Sequence, residues 1–232
     1  MNNDILVAIS TVQNGNMYNR HDPLDAHVIA NRRRYLDEIG IDFDRTTRVN
    51  VSGAVRITEH HETDWCRYVD VSDRLVGKGM VNGDIAFADA LVTNTPGVTL
   101  FLPVADCVGT VLYDPIRRVV MVSHLGRHSL EQNGGVKSVQ YLINHYGSQP
   151  QDIKVWLTPA PNKEVFPIWA LDGKGMKEAA FEQLAAAGIV FENIVDNPAD
   201  TVTDLNYYSY SEFLKGNRPV DGDYAIVAVM TD

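Results

Sequence analysis

The sequence is poor in cysteine, carries no excess of basic residues and has no long apolar run. Cys66 and Cys107 are the only cysteines among 232 residues, so we expect no disulfide framework and a reducing, cytoplasmic environment. The formal net charge is −10, which argues against a nucleic-acid partner, since phosphate backbones bind clustered Lys and Arg. No apolar run reaches the roughly 18 residues of a membrane-spanning helix. The N-terminus also lacks the basic segment of a signal peptide, and we expect no membrane partner.

Apolar segments with strand and helix periods alternate irregularly along the chain. Adjacent strands look antiparallel, and no internal repeat or linker divides them. We therefore predict an α/β fold with one domain over residues 1–232, a mixed-sheet layered domain of α-β-β-α type in which helices cover the sheets. The pattern predicts strands over residues 4–10, 45–51, 53–60, 89–93, 98–102, 108–113, 119–122, 153–157, 190–194 and 224–230, and helices over residues 24–39, 135–146, 175–187 and 206–214. Asp22 is the predicted N-cap of the first helix, and residues 63–88 are predicted to be loop.

A strand-turn-strand unit in the middle of the chain places a thiol and an imidazole at related positions. Cys107 lies seven residues before Asp114, and His124 lies nine after Pro115. Folding the hairpin at the Asp114-Pro115 turn brings Cys107 and His124 to the same end of the sheet. Such a pair can hold a metal or act as nucleophile and base. A buried thiol and a helix-capping imidazole are the alternative.

Other candidate residues lie upstream. His60 and His61 end a predicted strand, and because adjacent strand residues point to opposite faces, at most one of them faces a given pocket. Arg33 and Arg34 belong to an arginine triplet on the first helix. They are either a solvated helix face or an anion site, since arginine presents a rigid fork of donors to phosphate.

Three blocks of sequence resemble those of the laccase-domain family, also described as multicopper polyphenol oxidoreductases, as YfiH-like proteins and as zinc-binding purine nucleoside phosphorylases. The blocks are N-R-R-R-Y-L from Asn31, A-D-A-L-V-T from Ala88, and A-D-C-V-G-T-V-L-Y-D-P from Ala105 followed by V-S-H-L-G from Val122. The resemblance implies a fold shared with toxin deamidases of the cytotoxic necrotizing factor type.

The same resemblance implies that Cys107 and His124 are metal ligands and catalytic residues. The third family ligand is a histidine in a Q-V-H-G motif, which has no clean match here; we favour His61, with His60 as the alternative. Aligning Asn50 with that motif instead would remove the ligand. Zn²⁺ is the expected cofactor, with Cu²⁺ or none as alternatives, because two His and one Cys leave a fourth position open.

Two further blocks depart from the family pattern. H-A-G-W-R-G is replaced by H-L-G-R-H-S from His124, and the cysteines of a G-P-x-I-x-x-C-C-Y-E-V block are absent after Thr158. Arg127 or His128 could replace the lost arginine as an anion contact. Asp106 could protonate a purine leaving group, but on a regular strand it would point away from the Cys107 face.

The resemblance implies a zinc-dependent enzyme that cleaves purine nucleosides with phosphate, deaminates adenosine, or does both, working as a monomer or homodimer. A copper-dependent phenol oxidase is one alternative, although seven His and two Cys are too few for several copper ions. A metal-free Cys–His hydrolase or deamidase is another, with Cys107 as nucleophile. An inactive binding homologue is the last.

Overall fold

The computed structural model describes residues 4–22, 24–51, 67–71, 74–81 and 88–231. The predicted strand over residues 53–60 lies outside the described residues, as do His60, His61 and Cys66.

The described strands form two mixed sheets, as the predicted α-β-β-α layering requires. The smaller sheet has the order β1-β10-β5-β2, in which only β2 and β5 are parallel. The larger has the order β3-β4-β7-β6-β8-β9, with parallel pairs at both edges. The strands are β1 Ile5–Ile9, β2 Thr46–Arg48, β3 Tyr68–Asp70, β4 Ala90–Thr93, β5 Thr99–Val104, β6 Val108–Asp114, β7 Val119–Leu125, β8 Lys154–Leu157, β9 Ile194–Asp196 and β10 Tyr224–Met230.

Helices cover the outer face of each sheet. The described α-helices are α1 Ala26–Glu38, α2 Arg127–Glu131, α3 Gly134–Tyr146, α4 Met176–Ala186 and α5 Tyr210–Leu214. One apolar cluster joins α1 to the smaller sheet, and another joins α3 and α4 to the larger sheet. A third fills the space between the sheets. The layers therefore follow the predicted order, helix, sheet, sheet, helix. Within the described residues, no helix is both long and apolar enough to cross a membrane.

Local differences from the prediction have local causes. Helix α1 begins after Asp25 rather than Asp22, because the Asp25 carboxylate accepts hydrogen bonds from the N–H groups of His27 and Val28. The strand predicted over residues 45–51 is shortened to β2. Residues 68–70, predicted as loop, form β3 beside β4. The sequence pattern misses this strand because three residues are too few to show alternation.

The turn between β5 and β6 positions the candidate site. Strand β5 belongs to the smaller sheet and β6 to the larger one, so the three residues between them cross from one sheet to the other. Asp106, in the middle, has a φ of 70°, a left-handed conformation that Asp tolerates better than most residues. Cys107 follows, immediately before β6. The sharp turn therefore places Cys107 at the open end of the two-sheet sandwich.

Candidate active site

The β6–β7 hairpin brings Cys107 and His124 together as predicted. In the antiparallel register, Gly109 lies opposite His124 and Val108 lies opposite Leu125. Asp114 holds the connecting turn, since its Oδ1 accepts hydrogen bonds from the N–H of Ile116 at 2.8 Å and of Arg117 at 3.0 Å. The hairpin places both side chains at the same end of the larger sheet.

Gly126 shows that the two side chains face one small space. A Cβ built on Gly126 would lie 2.9 Å from His124 Nε2 and 3.0 Å from Cys107 Sγ. The sulfur and the nitrogen are therefore no farther apart than the sum of those two distances. Gly126 has φ −82° and ψ 173°, values open to any residue. The backbone thus does not require glycine here, whereas the space beside the thiol and imidazole does.

Burial keeps both groups neutral at pH 7 in the metal-free chain. Desolvation raises the pKa of the Cys107 thiol to about 12, with Asp106 and Asp223 adding to the rise, while Arg20 and the N–H of Arg127 oppose it. Desolvation, followed by the charge of His128, lowers the pKa of His124 to about 4. A neutral imidazole is the form that binds a metal.

The side chains of Cys107 and His124 offer donor atoms suited to a metal ion. His124 Nε2 and Cys107 Sγ both face the space at Gly126, where a Cβ would lie 2.9 Å and 3.0 Å from them. Thiolate sulfur and imidazole nitrogen are ordinary zinc ligands. These two side chains therefore fit zinc. No group of three His, Cys, Asp or Glu suited to a metal occurs in the described ranges, and the predicted third ligand, His61 or His60, lies outside them.

A cavity of about 330 Å³ opens beside the Cys107–His124 pair, a size within the range of small-molecule sites. Its walls come from sequence-distant elements. Phe166 and Met176 supply an apolar side, and Tyr210 and Leu214 of α5 close another. A planar, partly apolar molecule matches this combination of aromatic wall and buried polar base.

The predicted anion contacts divide into two groups. Arg127 and His128 line the cavity, with Arg127 Nη2 lying 3.0 Å from His128 Nε2. Arg33 and Arg34 are exposed on α1 and are not brought to the cavity by the described chain. The guanidinium of Arg33 lies 4.0 Å from the ring centre of Phe43, and Arg34 bonds the Asn14 carbonyl.

Two residues of the site were missed or left unassigned by sequence reasoning. Asp106 lies in a turn rather than on a regular strand. The residue lines the cavity, and its carboxylate accepts hydrogen bonds from Thr201 and Ser211. Tyr210 lies in the segment predicted as a short helix, where tyrosines are more often part of the core than a surface on which a base stacks. No local signal identifies Tyr210, because its partners are distant in sequence. The left-handed conformation of Asp106 has one weak signal, the tolerance of Asp for positive φ.

The family of the chain follows from a sequence profile. The profile described as multi-copper polyphenol oxidoreductase laccase matches residues 8–171. The chain belongs to this family. Its fold agrees, since the crystal structure of Bacillus licheniformis hypothetical protein YfiH superposes with a TM-score of 0.80 at 21% identity, covering 99% of this chain and 94% of that one.

A curated relative matches this chain over only part of its own length. Purine nucleoside phosphorylase YlmD of Bacillus subtilis is 28% identical over 172 residues, which is 68% of this chain and 58% of that protein. The chain thus matches little more than half the length of that relative. A shorter match joins 41 residues, 18% of this chain and 25% of that protein, to the probable chemoreceptor glutamine deamidase CheD of Caldanaerobacter subterraneus at 44% identity.

Proposed function

We propose that this protein is a zinc-dependent enzyme acting on purine nucleosides, by phosphorolysis, by deamination of adenosine, or by both. The observation that carries the proposal is the space at Gly126, which Cys107 Sγ and His124 Nε2 both face, at the base of a cavity with aromatic walls. The relation to proteins named purine nucleoside phosphorylases supports the choice of substrate.

In this proposal Cys107 and His124 hold zinc together with His61, or with His60 in its place. Bound zinc supplies Lewis-acid chemistry. Tyr210 and Phe166 provide the flat and apolar surfaces against which a purine ring packs. Their apolar neighbours exclude water and so strengthen every polar contact within the cavity.

Arg127 is the proposed phosphate contact for phosphorolysis. It is exposed on the first turn of α2, lines the cavity, and its backbone N–H points at Cys107. A guanidinium offers phosphate two parallel donors. In phosphorolysis the phosphate oxygen bonds to the ribose C1′ as the bond to the purine nitrogen breaks, and the departing base takes a proton. Arg127 would orient the attacking phosphate while the apolar wall holds the base.

The test is product analysis with purified protein that has been supplied with zinc. Incubation of inosine or adenosine with phosphate should yield the free base and ribose 1-phosphate, and incubation of adenosine without phosphate tests for inosine. Cys107→Ala should abolish every product, whereas His27→Ala, which removes an exposed imidazole on α1, should retain full activity. Absence of all products, or equal turnover by Cys107→Ala, would refute the proposal.

A metal-free Cys–His deamidase is the second candidate, favoured by the short match to a deamidase. It requires Cys107 to ionise readily with His124 as base. The raised pKa of Cys107, about 12, opposes that requirement. Iodoacetamide labelling of chelator-treated protein at pH 7.5, followed by mass spectrometry of the Cys107 peptide, separates the two. The zinc proposal expects labelling slower than that of free cysteine, and labelling faster than free cysteine would favour the deamidase.

A further inference from the structure

Asp106 connects the turn that carries Cys107 to the helix that closes the cavity. Its side chain is only 4% exposed, and both carboxylate oxygens are used. Oδ1 accepts a hydrogen bond from Thr201 Oγ1 at 2.8 Å, and Oδ2 accepts one from the N–H of Ser211 at 2.7 Å. The bonds span about a hundred residues of sequence and join the turn between β5 and β6 to Thr201 and to the first turn of α5.

The segment that Asp106 holds contains a short helix, and hydrogen bonds from Arg218 to the carbonyls of Thr201 and Val202 brace the loop before that helix. Helix α5 has only five residues, and Ser209 caps it by accepting a hydrogen bond from the Glu212 N–H at 3.3 Å. A helix of this length has little stability by itself. Its position therefore depends on the groups that bind its first and last turns. The N–H of Ser211, unpaired within the first turn, is bonded by Asp106 instead.

The same helix presents two cavity residues. Tyr210 and Leu214 both line the cavity beside Cys107, although their exposed fractions are 37% and 66%, so burial alone does not fix them. Arg20 adds a second restraint, since its guanidinium lies 4.3 Å from the ring centre of Tyr210 while bonding Asp221 and Asp223.

We propose that Asp106 is a positioning residue that ties α5 to the Cys107 turn, so that Tyr210 and Leu214 form the substrate-facing wall. The inference rests on the proposed function for its substrate, and it assigns the carboxylate no proton transfer. Both oxygens already accept hydrogen bonds, and nothing in this role requires ionisation. The role predicts an effect on substrate binding rather than on chemistry.

Two substitutions separate positioning from proton transfer. Asp106→Asn keeps the shape and both bonds, because the amide oxygen can accept from the Ser211 N–H while the amide nitrogen donates to Thr201 Oγ1. Asp106→Gly removes both bonds without straining the backbone, since glycine accepts a φ of 70°. Thr201→Val removes one bond from the other side with little change of shape.

The first readout needs no activity. Hydrogen exchange of peptides covering residues 205–216 should be at least about tenfold faster in Asp106→Gly than in wild type and unchanged in Asp106→Asn. Equal exchange in Asp106→Gly and wild type would overturn the inference, whatever the enzyme's substrate proves to be. Failure of the proposed function would appear separately, as absence of turnover in wild type.

The second readout uses nucleoside turnover. Asp106→Gly and Thr201→Val should raise KM severalfold with kcat within about twofold of wild type, since uniform binding is lost, and Asp106→Asn should restore wild-type values. Loss of about 100-fold in kcat for Asp106→Asn, the scale of a lost general acid, would overturn the positioning role. A loss confined to kcat in Asp106→Gly would do the same.

Discussion

At the scale of single residues, the site depends on a missing side chain as much as on those present. Gly126 has an ordinary backbone conformation, so its value lies in the room it leaves. A Cβ there would come within 2.6 Å of His124 Cε1 and 3.0 Å of Cys107 Sγ, distances that real Cβ atoms avoid. One methyl group would therefore separate the thiol from the imidazole or displace both.

Gly126→Ala should impair metal binding and turnover while leaving the fold intact. We expect a loss of about 100-fold in kcat/KM, as for small displacements of reacting groups, and a fall of about 1–3 kcal/mol in the free energy of unfolding from overpacking. Gly175→Ala is the matched control, since Gly175 also has an ordinary φ of −71° and lies outside the cavity wall. Wild-type zinc content and activity in Gly126→Ala would contradict this reading.

The sequence predicted the Cys107–His124 pairing but not the whole cavity. The pairing follows from counting residues on either side of one turn, because a hairpin register converts spacing into position. The orientation of Asp106 was predicted wrongly because the period-2 pattern assumes a regular strand, and a residue in the left-handed conformation interrupts that pattern. The place of Tyr210 in the cavity was not predicted, because the cavity joins segments about a hundred residues apart, which no local pattern encodes.

At the scale of elements, the β6–β7 hairpin fixes the site through its turn. Asp114 is buried and bonds two successive N–H groups beyond the strand, and Arg118 completes the turn with a φ of 50°. A one-residue slip would move His124 to the opposite face. The two strands of the hairpin and β10 were predicted because each of these strands is a continuous apolar run. The division of β5 and β6 between two sheets was not, because an apolar pattern names no partner strand.

Asp114→Ala should destabilise the hairpin and with it the site. Loss of both turn hydrogen bonds should lower the free energy of unfolding by about 1–3 kcal/mol, measured by urea denaturation. Asp114→Asn is the control, because its amide oxygen can still accept from the Ile116 and Arg117 N–H groups. If Asp114→Ala and Asp114→Asn lose the same amount, the turn bonds do not hold the register.

At the scale of the whole molecule, the stability of this acidic protein depends on pH through one buried carboxylate, that of Asp223. Asp223, just before β10, is 4% exposed and bonds Arg20 at 2.5 Å. Burial nevertheless raises the pKa of Asp223 to about 6, because desolvation outweighs the attraction of Arg20. Between its unfolded value near 3.8 and about 6, the folded chain therefore holds a proton that the unfolded chain has released.

The free energy of unfolding should consequently fall as the pH rises from about 4 to about 6, measured relative to Asp223→Asn, which has no titrating group there. Shifts of this size correspond to about 3 kcal/mol. Urea denaturation of both proteins at pH 4.5, 5.5 and 7 gives the difference directly. A difference that stays constant, or that grows in favour of wild type with rising pH, would show that ionised Asp223 is not penalised.

The most direct test of the account is the zinc content of protein purified without affinity-tag metal or chelator. Elemental analysis should find about one zinc per chain in wild type and in His27→Ala. It should find almost none in Cys107→Ser, His124→Ala and His61→Ala. Retention in His61→Ala with loss in His60→Ala would assign the third ligand to His60. Wild-type protein without zinc, or full zinc content in Cys107→Ser, would contradict the metal site on which the proposed function rests.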